Sequence, residues 1–152
     1  HVNYEMATRI PLLIAAPGVT KPGSSTGQLA ETVDLFPTLA DLAGLPTPSG
    51  PQSIDGTSLV PVLKDSTARV RDHAYHCFPR GGKLGRAIRT ENYRLVDWRP
   101  IADPNANPVY ELYDYTKGTV ETKNIATTNP EVVSKLRSIL ARHPKPAEHP
   151  KK

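Results

Sequence analysis

One apolar run near the start of the chain limits the folds open to this sequence more than any other feature. Residues 10–16 read IPLLIAA and are closed by Pro17-Gly18. A continuous run of this length is typical of a parallel strand that is covered on both faces. Such a strand needs parallel neighbours, and little before Cys77 could supply them. We therefore expect the neighbours to lie upstream of His1, in a larger protein of which this chain is the later part.

The sequence is predicted to form two domains and a tail. Residues 1–71 hold this run, one helix and proline-rich loops, and are predicted to be the end of a large α/β domain. Residues 72–142 are predicted to form a small α+β domain. Its four alternating segments indicate an antiparallel sheet with one covered face, and the apolar stripe of a last helix, 130–142, would pack on that face. Residues 143–152 contain almost nothing apolar, so we expect a disordered basic tail.

A second helix is predicted over residues 34–43. Asp34 is its expected N-cap, because a carboxylate can accept hydrogen bonds from the free N–H groups of the first turn. Gly44 would end the helix. Its apolar face would comprise Leu35, Phe36, Leu39, Leu42 and Ala43. In an isolated chain this face and the apolar run would be exposed, which predicts association or partial disorder.

The composition argues against several functional classes. The 152 residues carry a net charge of +4 with 38% hydrophobic and 22% charged residues, which fits a globular protein. No apolar run approaches the roughly 20 residues of a membrane span, so no membrane segment is predicted. Lys and Arg are scattered and form no stripe with aromatic residues, so we expect no nucleic-acid partner. A single cysteine excludes an internal disulfide framework.

Few residues could carry chemistry. His73, His76 and Cys77 are neighbours, but a metal site needs three or four convergent ligands, and strand residues three apart point to opposite faces. No metal site is therefore predicted. Glu5 and Arg9 are expected to pair and hold their segment together. The arginines of the predicted hairpin, Arg89 and Arg94, are expected to form cross-strand pairs with Glu91 or Asp97.

Four segments in order resemble the C-terminal part of a type I sulfatase, most closely the iduronate-2-sulfatase and choline-sulfatase branch of the alkaline-phosphatase-like superfamily. Together, in the order of the family, they cover roughly residues 1–140. The first three segments are 3–12 (NYEMATRIPL), 32–39 with 42–44 (TVDLFPTL and LAG), and 55–59 (DGTSL). The fourth comprises 87–90 (AIRT), 93–94 (YR), 111–114 (ELYD) and 121–126 (ETKNIA).

The resemblance implies an alkaline-phosphatase-like α/β fold followed by a small α+β domain. It also implies hydrolysis of sulfate esters by a formylglycine nucleophile and a calcium ion held by oxygen ligands. In the family these groups lie upstream, and the active-site lysine would directly precede His1. Cys77 with Arg80 misses the formylglycine motif by one position, since that motif has its arginine four residues after the cysteine.

The resemblance therefore predicts no catalytic and no metal-binding residue in this chain, but three candidates for the substrate pocket. His1 would line the pocket, and His76 and Arg80 could contact an anionic sulfate ester. The partner would be the missing N-terminal catalytic part, without which the chain should be inactive. The complete enzyme is expected in the periplasm or secreted, or in the lysosome of a eukaryote.

Three alternatives stay open at this stage. The chain could be the light chain of a processed sulfatase, or an interaction module that kept the fold and lost the enzyme. It could also belong to a related phosphatase or phosphonate hydrolase.

Overall fold

A computed structural model describes residues 3–47, 49–51, 53–118 and 120–144, so His1 and most of the predicted tail lie outside the described residues. The chain divides into two compact units, one of Pro11–Ala74 and one that joins the residues up to Ile10 to those from Tyr75 onward. The elements are, in order, α1 (Glu5–Thr8), a 3-10 turn (Thr32–Asp34), α2 (Leu35–Leu42), α3 (Val60–Lys64), β1 (Ala74–Arg80), β2 (Lys83–Arg89), β3 (Tyr93–Pro100), β4 (Val109–Asp114) and α4 (Pro130–Leu140).

The larger unit is built on a four-stranded sheet in the order β1-β2-β3-β4. Strands β2 and β3 are antiparallel, with Ala87 opposite Val96 and Ile88 opposite Leu95, and β4 is antiparallel to β3. Gly81 and Gly82 join β1 to β2, both with positive φ, which suits the tight turns whose twist matches that of the strands. The antiparallel sheet of four strands confirms the sequence prediction.

Helix α4 covers one face of this sheet. Its residues Val133, Leu136 and Leu140 are buried against an apolar cluster that contains Ile88, Leu95 and Leu112. The spacing of the three helix residues follows the helical repeat, so one face of α4 removes them from water together. This packing confirms the predicted amphipathic helix. Asn129 is at the N-cap position, but its side chain donates to the Ile125 carbonyl (3.0 Å) instead of capping the helix.

The opposite face of the sheet is covered by residues 3–8, whereas the sequence predicts only one covered face. Asn3 is fully buried and its Nδ2 lies 3.4 Å from the Gly85 carbonyl oxygen. Gly85 is required here because a Cβ would lie 2.3 Å from that Nδ2 atom and 2.6 Å from the Trp98 ring. The ring of Tyr4 meets that of Tyr113 edge-on, with centroids 5.3 Å apart.

In the unit Pro11–Ala74, the predicted parallel strand over 10–16 is not formed. These residues have no regular secondary structure, and Leu12 and Leu13 are 45% and 88% exposed. The physical reason is that a strand is stable only when its N–H and C=O groups have partner strands. The prediction itself required such neighbours. Residues 28–31 also have no regular secondary structure and lead into the 3-10 turn.

Helix α2 occupies most of the predicted range, and Gly44 follows it with a φ of +66°. The side of α2 that is buried carries Pro37, Thr38 and Ala40. Phe36 and Leu39 are 58% and 63% exposed, as expected for an isolated chain. Among the described residues, no helix has the length and apolar character needed to cross a membrane.

Candidate functional site

The sheet face beneath residues 3–8 contains a buried cluster of charged side chains centred on Glu5. Its Oε1 accepts a hydrogen bond from Arg89 Nε (2.6 Å) and another from Arg94 Nη2 (2.7 Å). Arg94 is 1% exposed and Glu5 is 8% exposed. Charged groups this deeply buried are stable only when they are paired and hydrogen-bonded. The cluster therefore depends on all three side chains.

The register of the sheet explains why Glu5 is needed. Arg89 on β2 and Arg94 on β3 are directly opposite each other, and like charges in that position repel. The carboxylate of Glu5 lies between them and compensates both. Burial alone would raise the pKa of Glu5, but hydrogen bonds and positive charge from the two arginines lower it below its usual value.

A second layer of polar groups fixes the same segment. Arg94 Nε donates to the Tyr115 hydroxyl (2.7 Å), which in turn donates to Glu121. Glu121 Oε1 accepts the backbone N–H of Glu5 at 2.7 Å. Arg94 Nη2 also donates to Thr8 Oγ1 at 3.1 Å. Both ends of α1 are thus bound to groups of the sheet and of the loop that follows β4.

The buried polar atoms without a hydrogen-bond partner among the described residues include His76 Nε2 and Arg94 Nη1. Burial first, and then the positive charge of Arg94, lower the pKa of His76 to about 4, although Glu5 acts in the opposite direction. His76 is therefore neutral at physiological pH, so it can hydrogen-bond but cannot act as a cation.

The other candidates from the sequence are in different surroundings. Arg80 is exposed at the end of β1, and Cys77 is an exposed free thiol on the same strand. His1 lies outside the described residues, so its role as a pocket residue stays a prediction. Glu5 and Thr8 contact Arg94 on the sheet, whereas Arg80 is exposed at the end of β1.

The predicted ion pairs of this region are wrong in their partners. Glu5 pairs with Arg89 and Arg94, not with Arg9. Asp97 pairs with its own strand neighbour Arg99, with Nε and Oδ1 2.9 Å apart. The sequence contains no local signal for the actual pairs, because Glu5 and Arg94 are 89 positions apart.

A second buried cluster holds the unit Pro11–Ala74 together, and Asp34 is its centre. Asp34 is fully buried and accepts the backbone N–H of Glu31 and that of Thr57, each at 2.8 Å. Its Oδ1 also pairs with Arg71. The predicted N-cap role is wrong, because no side-chain hydrogen bond caps α2. Asp34 instead joins the two sequence segments 32–39 and 55–59.

The calcium ion that the resemblance implies has no candidate site among the described residues. In the described ranges, no three His, Cys, Asp or Glu side chains gather in a group that could hold a metal ion. Hard cations need several converging oxygen ligands.

Comparison with known proteins gives the family of this chain. The family model of the C-terminal region of N-sulphoglucosamine sulphohydrolase matches residues 1–145. Arylsulfatase K of Danio rerio is 31% identical over 139 residues, which cover 90% of this chain and 26% of that protein. The N-acetylglucosamine-6-O-sulfatase of Bacteroides thetaiotaomicron is 32% identical over 130 residues, covering 80% of this chain and 22% of that protein.

A solved structure is similar to this chain over most of its length. It is that of a protein in complex with its substrate D-glucosamine-2-N,6-O-disulfate. The TM-score is 0.67 at 27% sequence identity, and the match covers 83% of this chain and 26% of that protein. Fold and matches together define the C-terminal region of a sulfatase with an alkaline-phosphatase-like fold.

The chain belongs to the N-sulphoglucosamine sulphohydrolase C-terminal family, which confirms the resemblance to type I sulfatases. It spans about a quarter of the length of the curated relatives that it matches.

Proposed function

We propose that this chain is the non-catalytic C-terminal part of an enzyme that hydrolyses sulfate esters, and that it is inactive without the catalytic part. The observation that carries the proposal is the family match over residues 1–145 combined with the absence, from the described residues, of a group able to bind a metal. A hydrolase without a nucleophile, a metal or an acid has nothing with which to stabilise its transition state. The calcium ion and the formylglycine would belong to the catalytic part.

The catalytic part is the proposed partner of exposed apolar side chains on the unit Pro11–Ala74. These side chains include Leu13 at 88%, Phe36 at 58% and Leu39 at 63%. A partner that covers them would remove large apolar groups from water, as a protein–protein contact does. On the catalytic part, the run 10–16 would gain the parallel strands that its sequence requires.

The proposed substrate is a sulfated sugar or another small sulfate ester. Support comes from the relative named N-acetylglucosamine-6-O-sulfatase and from the similar structure that holds a disulfated glucosamine. In this chain His1, His76 and Arg80 are the proposed pocket residues. Arg80 is exposed and could pair with a sulfate as a cation, whereas the neutral His76 would act as a hydrogen-bonding group.

The test compares the chain alone with the complete enzyme. Each is purified, its intact mass is measured, and turnover of a chromogenic aryl sulfate is followed with added calcium. We expect turnover from the complete enzyme and none from the 16.6 kDa chain. Turnover by the chain alone would overturn the division of labour, and Cys77 would then be the first residue to replace. A complete enzyme that cleaves phosphate esters and no sulfate esters would identify a related phosphatase.

A further inference from the structure

We propose that Glu5 and Arg94 are positioning residues of the enzyme. In this proposal their buried pair fixes residues 3–8 at one place on the small sheet. This role rests on the proposed function, because it assigns a catalytic consequence to a contact that touches no reacting group. The enzyme would then depend on the C-terminal sheet for turnover as well as for stability.

The first argument is that the sheet is built to receive this segment. Two arginines opposite each other on β2 and β3 would repel if the face were left open. Glu5 contacts both arginines, with hydrogen bonds of 2.6 and 2.7 Å. The guanidinium of Arg89 also lies over the Tyr115 ring at 4.0 Å. The charges of the sheet are thus complementary to this one segment.

The second argument is the number of separate elements that hold so short a stretch. Glu5 bonds to β2, to β3 and, through its backbone N–H, to Glu121 in the loop after β4. The Tyr4 hydroxyl lies 3.1 Å from that of Tyr113 on β4. Asn3 is fully buried against β2. Contacts in several directions restrain both the place and the orientation of a peptide segment.

The third argument is a contrast along the chain. Residues 3–5 are buried or half-buried, whereas Ile10 and Leu13 are 61% and 88% exposed. The fixed point therefore lies at the end of the segment nearest to His1, the proposed pocket residue. Displacements of about 1 Å in a substrate-positioning element can lower turnover on the order of a hundredfold. Loosening this anchor should accordingly lower kcat more than it changes KM.

The test uses the complete enzyme and a matched pair of variants. Glu5→Gln keeps the shape of the side chain and removes the charge that Arg89 and Arg94 share. Asp97→Asn makes the same change in the Asp97–Arg99 pair of β3, which lies on the same sheet and does not contact residues 3–8. The kinetic constants kcat and KM for an aryl sulfate are measured below the melting temperature of each variant, and kcat is expressed per folded molecule.

We expect Glu5→Gln to lower kcat at least about tenfold with a change in KM below about threefold, as loss of positioning predicts. Asp97→Asn should stay within about twofold of wild type. Thr8→Ala removes the hydroxyl that accepts from Arg94 and donates to the Tyr4 carbonyl. It replaces Glu5→Gln if that variant does not fold, and it should lower kcat by more than about twofold and less than about tenfold.

Three results would contradict the proposal. The first is a kcat of Glu5→Gln, or of Thr8→Ala in its place, equal to that of Asp97→Asn. The second is a loss of rate that follows the folded fraction alone. Either result overturns the positioning role and leaves the proposed function standing. A wild-type complete enzyme without sulfatase activity is the third, and it overturns both.

Discussion

Replacing Asp34 by asparagine tests whether this residue is a helix cap or the centre of a buried cluster. Asparagine is as good an N-cap as aspartate, so a capping role predicts almost no loss of stability. In the structure the carboxylate accepts two backbone N–H groups at 2.8 Å and pairs with Arg71. Asparagine keeps one acceptor oxygen, but its NH2 group takes the place of the other oxygen and faces a hydrogen-bond donor. It also leaves Arg71 with Glu31 as its remaining acidic partner in the cluster.

The expected cost of Asp34→Asn is about 3 kcal/mol. Hydrogen bonds to a charged group contribute roughly 1.5–3 kcal/mol each, and breaking a buried ion pair costs roughly 3–5 kcal/mol. The lower end applies because Arg71 keeps Glu31. For a domain whose total stability is about 5–15 kcal/mol, this is a large fraction.

Urea unfolding of the purified chain measures this cost. With an m-value of about 1–3 kcal/mol per molar, the midpoint should fall by at least about 1 M. Asp41→Asn is the matched control, because Asp41 is exposed on α2 and accepts one hydrogen bond from Ser58, so it should cost less than about 1 kcal/mol. If both variants unfold at the wild-type midpoint, the reasoning about Asp34 is refuted.

Three further perturbations have defined outcomes. Gly56→Ala places a Cβ 1.9 Å from a backbone carbonyl oxygen, so it should lower the free energy of unfolding by about 2 kcal/mol or more in urea. His76 has a folded-state pKa of about 4 against an ordinary 6.5, so the unfolded chain takes up its proton first as the pH falls. Stability should therefore be lost between pH 6.5 and 4, by about 3 kcal/mol, and His76→Gln should remove that loss in a pH series of urea titrations. Arg86 Nη2 donates to the Leu140 carbonyl at the end of α4 (3.1 Å), so Arg86→Gln should cost about 2 kcal/mol and raise amide exchange in the last turn of the helix.

Each of these perturbations has a control. Gly27→Ala has no atom within 4 Å of its new Cβ and should change stability by less than about 1 kcal/mol. Equal effects at Gly27 and Gly56 would contradict the packing argument. Parallel pH profiles for the wild type and His76→Gln would refute the assigned pKa. Arg80→Gln removes an exposed arginine and should leave the α4 amides unchanged. If Arg86→Gln leaves them unchanged too, the role of Arg86 at the end of α4 is disproved.

The small sheet and its helix could be predicted because their signals are local. Alternating apolar residues in the strands and a helical repeat in α4 state which face is buried without reference to distant residues. The Leu136 and Leu140 contacts with the sheet follow from that pattern alone. The family, too, could be read from short segments such as 32–39.

The second covered face could not be predicted, because its contacts join residues far apart in sequence. Glu5 and Arg94 are 89 positions apart, and a carboxylate near the start of a chain gives no sign of which arginine it will meet. The nearest candidate, Arg9, is the wrong partner for this reason. Asp34 shows the same limit, since its local setting before a helix predicts a cap while its partner Thr57 is 23 positions away.

For the apolar run 10–16 the sequence predicts a strand with parallel neighbours, but these residues form no strand. Its composition is that of a strand buried on both faces, yet Leu12 and Leu13 are exposed. The requirement and the exposure agree if the partner strands belong to the catalytic part of the enzyme.

Complementation of the catalytic part by this chain tests that account most directly. The catalytic part is expressed without residues 1–152, with and without the separate chain, and calcium-dependent turnover of an aryl sulfate is measured in both preparations. The account predicts little or no turnover from the catalytic part alone, and turnover together with a co-purifying 16.6 kDa species when the chain is added. Full turnover by the catalytic part alone would contradict it.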